Sequence, residues 1–176
     1  DNHRPVQQLS LTVERYYRIL VNPYPILPQH LTIISRRHTP QLLDGRLADF
    51  CRLVSALPDY VVFYNGARCG ASAPDHFHFQ AGARNIVPLQ RDWEQYSGRL
   101  ERVFPLSAEE QAEMEDSGYE DKRSGIYLVK GYACSVFAIL GERADGDQLL
   151  LNKLLQALPL PTGRKEPDVN LLAWME

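Results

Sequence analysis

A chain of 176 residues, 44% hydrophobic and 23% charged, has the composition of a globular protein with enough apolar mass for a core. Its net charge of -3 argues against nucleic-acid binding through a broad basic surface, and no apolar run reaches the length of a membrane span. Cys51, Cys69 and Cys134 are widely spaced and form no C-x-x-C pair, which argues against a disulfide framework and for a reducing, cytoplasmic setting without a secretory leader. The start at Asp1 and the stop just after a strand-like run read as the ends of a fragment.

Residues 1–10 read as a polar arm. The aromatic and β-branched run Arg15–Val21 reads as a strand. Pro23, Pro25 and Pro28 then exclude regular structure, because each lacks an N–H and biases its predecessor towards extended geometry. His30–Ser35 reads as a buried strand. A helix is expected over 39–57, with Thr39 as cap, Pro40 in the first turn, and a break near Asp44 and Gly45. Leu47, Phe50, Cys51, Val54 and Leu57 give it one apolar face. Asp59–Tyr64 is the next strand, and it runs into a loop of small residues over 65–74.

His76–Gly82 alternates strictly, so His76, His78 and Gln80 share one face and Phe77, Phe79 and Ala81 the other. Beyond it, 85–89 reads as extended and 92–103 as a helix or an irregular excursion. Ser107–Glu120 reads as a short exposed helix. Strands are expected over 126–129 and 132–140, a helix over 147–158 and a last strand over 169–174. Strands interleaved with helices and short links make the class α+β, with the 39–57 helix on the phenylalanine face.

A histidine on a polar strand face has three readings: a satisfied polar residue, a metal ligand or a nucleophile. The loop shifts the balance to the last, because Gly66, Gly70, Ser72 and Asn65 can surround phosphate oxygens just upstream. A neutral imidazole can attack phosphorus and divide one hard displacement into two easier ones. The remaining work is positioning and stabilising charge on the nonbridging oxygens, for which Gln80 and the loop are suited. Arg68 lies in the same loop and can reach a phosphate.

Asn65…His76-Phe77-His78-Phe79-Gln80 resembles the active-site segment of the histidine-triad superfamily, in its H-x-H-x-Q branch. That branch includes galactose-1-phosphate uridylyltransferase, dinucleotide-polyphosphate phosphorylases and GDP-hexose phosphorylases. Asn22-x-x-Pro25-x-x-Pro28-x-His30, followed by Leu31–Ser35 and His38, resembles a second segment of the family, with Ser35 in place of its proline. The likeness spans residues 12–84. It implies His78 as nucleophile, Gln80 on the phosphoryl oxygens and His76 as orienter. It further implies Asn65, Gly66 and Ser72 at the phosphates and Asn22 at the ribose. Ser72 sits one position further from His76 than in the relatives. In the uridylyltransferases the counterparts of His38 and His76 bind a structural zinc with two upstream cysteines; here either those cysteines lie in missing upstream sequence or the site is empty.

The resemblance implies an antiparallel sheet flanked by helices, with residues 1–90 as catalytic half. Residues 91–176 are then either the truncated start of a second, degenerate half or a sheet extension. The implied activity is nucleotidyl transfer or phosphorolysis on a nucleotide sugar or dinucleotide polyphosphate through a nucleotidyl-histidine, with phosphate or a sugar phosphate as acceptor. Structural zinc is the only cofactor implied, no organic cofactor is expected, and relatives often form homodimers. The alternatives are a nucleotide hydrolase, against which Gln80 argues, and a nucleotide- or metal-binding module without turnover.

Overall fold

Phe77 and Phe79 are fully buried, and the sheet is built around them. The computed structural model describes residues 10–13, 16–104, 124–141 and 144–176. The strands β1 (Ser10–Val13), β2 (Tyr17–Val21), β3 (Leu31–Ser35), β4 (Tyr60–Asn65), β5 (His78–Ala83) and, late in the chain, β9 (Asn170–Ala173) form one sheet. Its order is β1-β2-β3-β5-β4-β9 and every neighbouring pair is antiparallel. The expected α+β class is present. The helix α1 (Leu47–Ala56) lies between β3 and β4 in the chain, and β5 inserts between those two strands. The histidine-bearing strand is therefore central, with both its edges paired.

Directly opposite residues in adjacent strands point to the same side of a sheet. The register Ile33↔Phe79 and the alternation along each strand put Tyr17, Ile33, Phe79, Ala81, Val62 and Tyr64 on one face, all of them buried. Phe50 of α1 covers this face, with its ring 5.6 Å from that of Phe79. Arg46 closes one end, with its guanidinium 4.1 Å from the Phe77 ring centre and a hydrogen bond to the Tyr17 hydroxyl (2.9 Å). Tyr17 in turn donates to Asp49 (2.5 Å).

Several boundaries differ from the sequence reading. The expected helix over 39–57 is shortened to Leu47–Ala56. Thr39 does not cap it: its carbonyl accepts from Phe77 N–H and its hydroxyl from Arg46. Gly45, at φ 68, turns the chain before the helix begins. The strand expected from His76 starts at His78, because Phe77 N–H bonds Thr39 rather than a ladder partner. The run 85–89, expected as extended, leads into a short helix α2 (Pro88–Arg91). The uncertain stretch 92–103 divides into helix α3 (Trp93–Ser97) and strand β6 (Leu100–Phe104). The helix expected over 107–120 lies outside the described residues.

Chain contacts form two compact units, residues 1–86 with 159–176, and residues 87–158. Residues 159–176 group with the first unit because the last strand, β9, joins the first sheet beside β4. That strand has its partner upstream, at Val62–Asn65. The second unit holds β6, β7 (Gly125–Val129) and β8 (Phe137–Leu140) in an antiparallel sheet, with helix α4 (Ala144–Ala157). Ile126, Leu150 and Leu154 make its buried cluster. No helix among the described residues is long and apolar enough to cross a membrane.

Candidate functional site

The face opposite Phe79 carries the polar groups. The registers Thr32↔Gln80, Ile34↔His78 and Phe63↔Gln80 put Thr32, Ile34, His78, Gln80, Phe63 and Asn65 on it. The same rule adds Asn170, which pairs with Asn65 across β4 and β9. A cleft of about 230 Å³ opens on this face, lined among others by Asn22, Tyr24, Thr32, Ser72, His76 and His78. Four of the expected site residues are thus brought together, from β2's end, the 66–77 loop and β5.

His78 is 4% exposed. Its Nδ1 lies 3.0 Å from the carbonyl oxygen of His76, an acceptor only, so Nδ1 carries the proton and donates. In the neutral ring the lone pair is then on Nε2. This is the tautomer a phosphorus-attacking imidazole needs, and it follows from backbone geometry rather than from a carboxylate partner.

A second tautomer is set beside it. Ile26 N–H donates to Nδ1 of His30 (3.2 Å), so the neutral His30 ring is protonated at Nε2. That N–H donates to Gln80 Oε1 at 2.8 Å. His30 therefore settles which way the Gln80 amide faces: oxygen to His30, NH₂ as the donor end. Asn22 is tied by Nδ2 to Thr32 Oγ1 (3.2 Å), and its Oδ1 accepts from Tyr24 N–H (2.9 Å). His30 carries a role that pattern reading passed over. The signal available was its place in the Pro28-x-His30 segment.

Other expected residues sit elsewhere. Gln80 and Asn65 share the polar face, and the cleft lining does not include them. Gly66 and Arg68 line a separate hollow of about 320 Å³, together with Arg164, Lys165 and Glu166. Gly66 N–H is already engaged, by Val169 O (3.1 Å) and Asn170 Oδ1 (3.2 Å). A Cβ at position 66 would lie 2.7 Å from Val169 O, so the glycine serves a close approach of β4 and the β9 segment. The strand expected over 169–174 is present as β9, but neither its pairing with β4 nor its contact with Gly66 was visible from local pattern.

The two histidines expected to share a zinc do meet, but as stacked rings, with centres 4.8 Å apart and planes 13° from parallel. His76 Nε2 lies 2.9 Å from Ser35 O, and His38 Nε2 3.3 Å from Asp75. Among the described residues no group of three or more His, Cys, Asp or Glu is arranged to hold a metal ion. A structural zinc takes four ligands, and His38 and His76 would supply two of them.

One family's sequence model, described as a domain of unknown function (DUF4922), matches residues 1–83. No curated protein and no solved structure matches the chain.

Proposed function

We propose that this site transfers a nucleotidyl group through His78, in the manner of the H-x-H-x-Q branch of the histidine-triad superfamily. The substrate class is a nucleotide sugar or a dinucleotide polyphosphate. His78 Nε2 attacks the nucleotide's α-phosphorus: an N–P bond forms, the bridging P–O bond breaks, and the departing phosphate keeps the electron pair. Inorganic phosphate or a sugar phosphate then attacks the same phosphorus, a P–O bond forms, and the N–P bond breaks to restore the imidazole. The observation that carries this reading is the His78 tautomer, with Nδ1–H on His76 O and the lone pair on Nε2, in a cleft shared with Asn22, Ser72 and His76.

Gln80 supports transfer over hydrolysis. It has no titratable proton and presents an NH₂ whose direction His30 sets. Such a donor stabilises the phosphoryl oxygens of the intermediate without acting as an acid. Ser72 and Asn22 line the same cleft as His78, which supports reading them as the phosphate and ribose contacts. No step here requires a metal.

The test is product formation from a panel of nucleotide sugars and dinucleotide polyphosphates, with and without inorganic phosphate. Phosphate-dependent release of a nucleoside diphosphate supports transfer. Release of the monophosphate at the same rate without phosphate replaces transfer with hydrolysis. Nucleotide binding with no turnover under either condition leaves only a binding module.

His30→Leu provides a separate check on Gln80. Without the Nε2–H donor the Gln80 amide loses its preferred direction. Both half-reactions are expected to slow, with the loss of one oxyanion donor, on the order of a hundred- to a thousandfold, as the upper bound. Stopped-flow or quench measurement of adduct formation and of its discharge by phosphate decides it. Unchanged rates in both steps would remove Gln80 orientation from the mechanism.

A further inference from the structure

The β4–β5 ladder runs from Tyr60↔Ala83 to Phe63↔Gln80 and stops. Continued, it would bring Asn65 opposite His78. The carboxamide of Gln41 occupies that place instead. Gln41 has no exposure to solvent. Its Oε1 accepts from His78 N–H (2.8 Å), and its Nε2 donates to His78 O (2.9 Å) and to Asn65 O (3.0 Å). The side chain acts as a peptide group inserted between the two strands at the point where they part.

The orientation of this amide is unambiguous. Two of its partners are carbonyl oxygens and one is an N–H, so a flipped amide would set oxygen against oxygen. Few side chains can replace it. Glutamate lacks the donors at neutral pH, asparagine is one methylene shorter, and apolar residues leave three backbone groups unpaired in a buried setting.

Gln41 is itself held from several sides. Its N–H donates to Pro74 O (3.0 Å), in the loop that precedes His76. Its carbonyl lies 3.2 Å from the Tyr64 hydroxyl, which gives its proton to Glu166 at 2.6 Å. The other Glu166 oxygen accepts from Leu43 N–H (2.8 Å). The start of β5, the end of β4, the 66–74 loop and the segment leading to β9 therefore converge on one buried amide.

We infer that Gln41 is a positioning residue for His78: by taking both backbone groups of His78, it parts β4 from β5 and holds the imidazole as the Nδ1–H tautomer. This assignment rests on the transfer reading for its catalytic consequence. Its structural half does not. A backbone gripped on both sides keeps the His76 carbonyl and the His78 ring in one relation, and that relation selects the tautomer.

The test uses the full chain with Gln41→Met, which keeps length without polarity, and Gln41→Glu, which keeps shape and acceptor without donors. Imidazole nitrogen chemical shifts, assigned with His78→Ala, read the tautomer near neutral pH. In the wild type His78 is expected as Nδ1–H. In both variants the Nε2–H form is expected to become populated. Formation of the nucleotidyl adduct is expected to slow on the order of a hundredfold, as for a small misplacement of a reacting group, with nucleotide Kd within about threefold.

A variant that retains a single Nδ1–H tautomer and the wild-type adduct rate overturns the inference. So does a loss of nucleotide affinity that accounts for the whole loss of rate. Failure of both variants to fold also counts against it, since the residue is then structural. If the wild type forms no adduct with any nucleotide, the transfer reading falls, and the tautomer shift alone decides what Gln41 does.

Discussion

Replacing His78 by alanine is expected to abolish the nucleotidyl adduct and to lower turnover by about 10⁴-fold or more, the scale of losing a nucleophile. The fold should survive. The substitution removes the side-chain hydrogen bond to His76 O, worth about 1 kcal/mol. Its backbone N–H and carbonyl remain on Gln41, because those bonds do not involve the imidazole. Intact-mass measurement after mixing with substrate reads the adduct directly, and acid treatment should remove it, as expected of a phosphoramidate. An alanine variant with wild-type turnover would end the covalent mechanism, whatever the fold resembles.

The neighbouring residue should behave in the opposite way. Phe79→Ala is expected to cost about 3–5 kcal/mol of stability, the range for truncating a buried aromatic. The ring has no exposure and lies 4.8 Å from Phe77, 5.6 Å from Phe50, 5.9 Å from Tyr17 and 6.2 Å from Tyr64. Five rings share that core, so the vacated volume cannot be refilled by one rotamer change. Domain stabilities are about 5–15 kcal/mol in total, and the variant should lose much of its folded population on modest heating. Urea denaturation measures it. A loss under about 1 kcal/mol would place the ring outside the core. Residues one position apart thus separate chemistry from stability, because successive side chains on a strand face opposite ways.

What could be read beforehand follows from the same geometry. The alternation over residues 76–82 needs no knowledge of the rest of the chain, and it assigned Phe79 to a core and His78 and Gln80 to the opposite face. The irregular 22–28 stretch was legible because proline acts locally on its own φ and N–H. The start of α1 was not. Thr39-Pro40 has the chemistry of a cap, but Thr39 is bonded to Phe77 and Arg46. Those partners lie beyond any local window, and a tertiary hydrogen bond outweighed a local preference worth about 1 kcal/mol.

By itself the sequence determined a polar strand face carrying His78 and Gln80, its phenylalanine backing, a small-residue loop before it and the α+β class. Each is a short-range property of side-chain period, ring closure or residue size. Only the tertiary structure decided that Asn170 joins the polar face of the sheet from β9, that His30 turns the Gln80 amide, and that Gly66 spends its N–H on Val169 and Asn170. It also decided that Gln41 stands between His78 and Asn65. Those relations join residues that the chain separates by 24 to 105 positions. They exist because buried backbone groups must find partners, and the fold rather than the local pattern determines which partners are within reach.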